Sequence, residues 1–396
     1  MSGKQSRREF LGHVKTLMLT AAGTRWALGA GAARAQSRSA ALFAYVGSFT
    51  SEERDARGDG INVYRIDPAS GRWDHVQNFG DLVNPSFLAI DHEQRFLYSV
   101  HADEDYATAF AIDAASGLLT RLNESATGGT NGVHLAVDAS NRFLIVANYA
   151  SGSMAVLPIN GDGSLGARSD LVELPGEHGP HPVQQTSSHP HHNPFDPAGR
   201  FFIVMDKGLD RVFVLRLDTA TGRLIWADTP SIATVPGAGP RHGAFHPTLP
   251  FAYVLNELDS TLVTYAYEAR NGGLKPRQRI STLPSGFMGQ NTTAEIEIDR
   301  NGRFLYCSNR GHNSIAAFAI DASNGELTPV GWTPSGGERP RYFGLDPAGA
   351  YLYACNERTH NIVGFRVDPT TGALTRTAQV AETGSPVTIV FRSANA

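Results

Sequence analysis

A short aromatic β-rich run recurs seven times in this chain, and that recurrence leaves few folds open. It reads LFAYV from Leu42, RFLYSV from Arg95, RFLIVAN from Arg142, RFFIVMD from Arg200, FAYVLNE from Phe251, RFLYCSN from Arg303 and YLYACNE from Tyr351. The spacing is roughly 47 to 58 residues, the length of one four-stranded blade. Six of the runs follow another strand that ends in a turn, such as FLAID at Phe87, VHLAVD at Val133 and FGLDP at Phe343. Asp-Pro, Asn-Gly and Ala-Gly in those turns supply the fixed or positive φ of a tight hairpin. A third strand, a turn such as DASNG at Asp321 and a short fourth strand complete each unit.

The two ends of the pattern complement one another. The first unit starts at the second strand type, and the chain finishes with PVTIVF, from Pro386 to Phe391, a strand of the missing first type. Pairing them closes a ring and leaves no open edge. The expected fold is therefore all-β, a seven-bladed propeller of four-stranded antiparallel blades. A single domain over residues 36–396 then accounts for a length that would otherwise suggest several domains.

Residues 1–35 read as a leader. Ser6-Arg7-Arg8-Glu9-Phe10-Leu11 is a twin-arginine pattern, a weakly apolar run extends from Thr16 to Ala32, and Ala33-Arg34-Ala35 offers a cleavage site. The expectation is export by the twin-arginine translocation machinery, cleavage near Ala35, and a periplasmic or secreted protein. The leader carries six Lys/Arg and one Glu, so 34 positive and 38 negative residues become 28 and 37, a net charge of −9. An acidic body without basic runs argues against nucleic acid. No segment is long and apolar enough to insert stably in a membrane. Two cysteines, Cys307 and Cys355, make no disulfide framework.

In such a ring the starts of first strands and the ends of second strands share one face, around the mouth of the central channel. That places His191-His192, Arg241-His242, Glu295 and Arg341 beside Tyr149, Lys207, Asn256-Glu257, Asn309-Arg310 and Glu357. Arg241 and Glu257 should pair. An Asn that ends a strand also serves simply to cap a turn. The loop GEHGPHPVQQTSSHPHHN holds His178, His181, His189, His191 and His192, but its spacing matches no closed zinc pattern. No metal or cofactor is assigned.

GAGPRHGAFHP, YVLNELDSTL, GRFLYCSNRGHNSI and PRYFGLDPAGAYLYACNE resemble the seven-bladed propeller lactonase family, which includes 6-phosphogluconolactonase-type and carboxymuconate cyclase-type enzymes. The resemblance runs from Tyr45 to Phe391. It implies chemistry at a lactone ring with no required metal, and it carries catalytic roles onto His191, Arg241, Glu257 and Arg310. His192, His242, Asn256, Asn309, Glu295 and Arg341 join them as substrate-binding candidates. Planar arginine contacts suit an anionic lactone or the oxyanion of its hydrolysis, and Glu257 or His191 is the base. The absence of a G-x-S-x-G elbow favours direct attack by water. Lactonisation of an unsaturated dicarboxylate and non-catalytic binding stay open beside hydrolysis.

Overall fold

The computed structural model describes residues 42–67 and 71–393, so the twin-arginine leader read at residues 1–35 lies outside the described residues. The described chain forms seven four-stranded antiparallel sheets. Their inner strands are Pro386–Ser393, Pro85–Ile90, Gly132–Val137, Pro190–His192, Pro240–Phe245, Thr292–Ile298 and Pro340–Leu345 for blades 1 to 7. Each inner strand contacts that of the next blade, and blade 7 returns to blade 1. Pro386–Ser393 pairs with Leu42–Ser48 from Ser48↔Pro386 to Leu42↔Ser393, which is the predicted closure.

The repeated sequence signals have repeated structural causes. The aspartates after five inner strands (Asp91, Asp138, Asp196, Asp299 and Asp346) each accept two backbone N–H bonds, at 2.6–3.2 Å, from the start of the next strand. In blade 5 the Nδ1 of His246 takes that place, accepting from Thr248 and Leu249. These hairpins need a left-handed residue, and Gly199, Gly302 and Gly349 supply φ of 65°, 70° and 69°. The recurring tyrosine locks blades together. Tyr45, Tyr98, Tyr253 and Tyr306 donate their buried hydroxyls at 2.9–3.1 Å to Gly117, Gly163, Gly325 and Gly372, each in an outer turn of the next blade. Each such bond contributes about 1 kcal/mol and keeps a buried hydroxyl satisfied. Arg142, Arg200 and Arg303 likewise donate to carbonyls of the following blade, at the end away from the mouth.

One irregularity positions the site. All seven inner strands break register at the same place, between Pro85 and Phe87, Gly132 and His134, Pro190 and His192, Pro240 and His242, Thr293 and Ile296, Pro340 and Tyr342, and opposite Gly47/Ser48. In a regular strand consecutive side chains face opposite sides. A bulge adds a residue and bends the strand, so two neighbours such as Arg241 and His242 both face the channel. The strand at His191 is only three residues long and resumes at a single Phe195↔Phe202 bridge, as the missing N–H of Pro194 requires.

Candidate active site

The channel mouth opens into a cavity of about 1180 Å³. His191, Arg241, Glu257 and Arg310 all line it, although they lie on three different blades and span 120 positions of chain. Glu257 is the hub. Its Oε2 meets Arg241 Nε at 3.0 Å and Arg310 Nη2 at 3.2 Å, and its Oε1 meets Lys207 Nζ at 3.2 Å. All four side chains are less than a tenth exposed. Backbone carbonyls fix the arginines from behind: Arg241 Nη1 donates to Ala294 O, and Arg310 Nη2 donates to Thr293 O at 2.6 Å. Nη2 of Arg241 and Nη1 of Arg310 keep no protein acceptor among the described residues.

His191 stands edge-on to Tyr149, with centroids 5.5 Å apart, and to His242 at 5.1 Å. Its Nδ1 is enclosed without a partner, which leaves Nε2 as the ring nitrogen open to the cavity. His242 Nδ1 and Glu295 Oε1 are 3.0 Å apart, and Glu295 also accepts from Ile296 N–H. Arg341 lies over Phe49, 5.0 Å from the ring centroid, and among the described residues no carboxylate pairs with it.

A family model described as lactonase, 7-bladed beta-propeller, matches residues 43–391. The chain belongs to the seven-bladed propeller lactonase family. It is 33% identical over 305 residues to the 6-phosphogluconolactonase of Bacillus subtilis strain 168, covering 76% of this chain and 84% of that one. The same identity extends over 312 residues of the 6-phosphogluconolactonase of Formosa agariphila, with 77% and 86% covered. Among solved structures, the Pseudomonas aeruginosa periplasmic gluconolactonase superposes with a TM-score of 0.81 at 31% identity, covering 89% of this chain and 99% of that one.

Charge in the lactonase cavity follows from burial and neighbours. Burial by itself raises the Glu257 carboxyl, but Arg310, Lys207 and Arg241 outweigh it and hold the group well below the usual carboxylate range. Burial lowers Arg241 to about 9 and Arg341 to about 10, so both stay cationic at neutral pH. Burial, reinforced by Arg241, keeps His191 and His242 well below 6.5 and therefore neutral. Glu295 is pushed well above the carboxylate range by burial, so its bond to His242 joins two neutral groups.

One donor atom from each of His192, His242 and Glu295 falls within 4.8 Å of the others, and these are ligand types that suit zinc. Two features oppose a cation there. The rings of His192 and His242 stack 4.2 Å apart at 18°, so their in-plane lone pairs run side by side instead of converging. Arg241 also places a positive charge against the same groups. Among the described residues, His178, His181 and His189 belong to no such cluster. His181 Nδ1 accepts loop N–H groups, and His189 stacks on Tyr149.

The cavity wall includes His242, Glu295 and Arg341 of the substrate-binding candidates but not His192, Asn256 or Asn309. That corrects their placement. Asn256 Nδ2 donates to Thr261 Oγ1, and Asn309 bonds Thr282, Asn291 and Ser314. At the ends of their second strands both turn away from the channel, while the residues after them, Glu257 and Arg310, face it. His192 packs deeper, between His134 and His242. Sequence reasoning put Lys207 at the rim without giving it a role, although its position matches those of Glu257 and Arg310.

Proposed function

We propose that this chain hydrolyses a sugar lactone or a related small lactone by direct attack of water, with no metal taking part. The observation that carries the reading is the buried cluster in which one carboxylate, Glu257, orders three cations at a cavity wall. Arg241 and Arg310 keep free guanidinium nitrogens on the cavity side, placed to hydrogen-bond the lactone carbonyl and the oxyanion that forms from it. Arg341, cationic and without an acid partner, suits a carboxylate or phosphate on the substrate.

Of the two bases considered from sequence, His191 is the better. Both carboxylate oxygens of Glu257 are engaged by cations, whereas His191 is neutral with an open Nε2. His191 takes a water proton as the water oxygen bonds to the carbonyl carbon. The tetrahedral intermediate then collapses by breaking the bond to the ring oxygen.

Sugar lactones are the first substrates to test. The relatives are named for 6-phosphogluconolactone and gluconolactone hydrolysis. The leader read at residues 1–35, together with the periplasmic location given for the P. aeruginosa relative, favours an exported enzyme and an unphosphorylated lactone. The test is a panel of aldonolactones, their phosphates and carboxymuconolactone, run on protein starting near Gln36. Turnover of an aldonolactone that falls at least 100-fold in an Arg241→Met, Arg310→Met double variant is the expected result. Retained turnover in that variant removes the arginines from the mechanism, and muconate consumption without lactone opening selects the lactonising reading.

A further inference from the structure

Hydrolysis leaves one proton transfer unassigned: the ring oxygen departs as an alkoxide and must be protonated. Glu257 is a poor donor, because its three cationic neighbours keep it ionised. Arg241 and Arg310 are committed elsewhere, to Glu257, to the Ala294 and Thr293 carbonyls and to the developing oxyanion. We infer that Lys207 is the general acid of this site, donating a proton from its ammonium to the leaving ring oxygen.

Lys207 is 4% exposed and lines the same cavity as His191 and Glu257. An ammonium has three N–H donors. One goes to Gln184 Oε1 at 2.8 Å and one to Glu257 Oε1 at 3.2 Å. The third has no acceptor among the described residues. The nitrogen lies 5.4 Å from the centroid of Tyr149, the ring that His191 meets edge-on, so acid and base flank one aromatic wall.

The surroundings hold this lysine with unusual thoroughness. Asp206 Oδ1 accepts N–H bonds from His189, Gly208 and Leu209, which fixes the turn that carries Lys207. The loop between the strands Asp170–Glu173 and Pro190–His192 reaches back over that turn. From it Gln184 binds the ammonium and Gln185 Nε2 donates to the Lys207 carbonyl at 2.9 Å.

The step balances without an added reagent. Water loses a proton to His191 Nε2 and its oxygen bonds to the carbonyl carbon. The carbon–ring oxygen bond breaks with its electron pair going to oxygen, and that oxygen takes a proton from Lys207. Imidazolium and neutral amine remain, and transfer of one proton between them, through water, restores both groups.

This assignment rests on the hydrolytic reading, and leaving-group dependence separates the two. An alcohol leaving group has a conjugate-acid pKa of roughly 16, a phenol one of roughly 10, so a phenolate departs without help. Wild type, Lys207→Met and Lys207→Arg are compared on an alkyl lactone, δ-gluconolactone or δ-valerolactone, and on the phenolic lactone dihydrocoumarin. The expected result is a kcat loss of at least 30-fold on the alkyl lactone and at most threefold on dihydrocoumarin. Lys207→Arg keeps the charge next to Glu257 but replaces the compact ammonium with a planar guanidinium that cannot present the same proton to the ring oxygen, so it should show the same selective loss if Lys207→Met fails to fold. Equal losses on both substrates in Lys207→Arg would overturn the assignment and leave Lys207 a structural cation. A wild type inactive on both lactones overturns the hydrolytic reading itself.

Discussion

Tyr149, Lys207, Glu257 and Arg310 occupy one position in four successive blades, the residue after the Asn or Asp at the end of the second strand; Phe49 and Ala102 occupy the equivalent place in blades 1 and 2. The inner-strand bulges divide in the same way. His191, Arg241 and Arg341 come from blades 4, 5 and 7, and Val387, Ser86 and Val133 from blades 1, 2 and 3. Ser86 spends its hydroxyl on Gly132 O, and Phe49, Ala102 and Val387 form a small apolar cluster. At these positions blades 4 to 7 are thus largely ionic and blades 1 and 2 largely apolar, with Tyr149 and Val133 of blade 3 between them, on closely similar backbones. The scaffold is indifferent to chemistry at these positions, and side-chain identity alone makes one wall a candidate for catalysis and the other a packing surface.

The largest effect should come from the ionic hub. Glu257→Gln leaves Lys207, Arg241 and Arg310 buried against one another, and about 3–5 kcal/mol of stability should be lost in urea unfolding. A loss under 1 kcal/mol would mean that the carboxylate does not hold the ionic wall together. Next, Arg241→Met should lower kcat by about 10²–10³, and His191→Gln by about 10² or more. Because burial keeps His191 neutral well below 6.5, kcat/KM should stay flat as pH falls from 8 to 6. An acid limb near 6.5 would point to a solvated base elsewhere.

A smaller effect concerns stability and pH. Burial keeps His101 (at about 4), His134 (at about 3), His191, His192 and His242 neutral in the folded chain. When unfolded they protonate below 6.5, so the unfolded chain binds more protons there and stability falls with pH. Glu295 and Glu297, raised by burial (Glu297 to about 8), act oppositely above 4.5, because they bind protons only when folded. Asp206, also raised by burial, acts with the two glutamates, and the five histidines outweigh these three carboxyls, at about 1.4 kcal/mol per pH unit for each uncompensated proton. Melting temperature should therefore drop between pH 7 and pH 5.5, and a rise would mean that the histidines are charged in the fold.

The smallest effects belong to the apolar wall. Val133→Ala should change kcat less than threefold and KM less than tenfold, the scale of a few methyl contacts. A loss as large as that of Arg241→Met would erase the distinction between the two walls.

Much of this was legible before the structure. The Arg241–Glu257 pair followed from hairpin geometry, and closure by Pro386–Ser393 followed from the strand missing at the start. Asn256 and Asn309 were misplaced because strand order identifies a rim but not which side of it a side chain takes. His192 was misplaced because a bulge had to be located before depth in the channel could be assigned. Lys207 was passed over because its partners, Glu257 and Gln184, lie 50 and 23 residues away in two different elements.

The sequence alone determined a sevenfold β repeat and its closure, because both are written in local periodicity and in turn residues that act within a few positions. The tertiary structure alone decided which polar groups share a charge environment. That depends on how seven bulged strands converge on one axis, and no short stretch of chain contains that information.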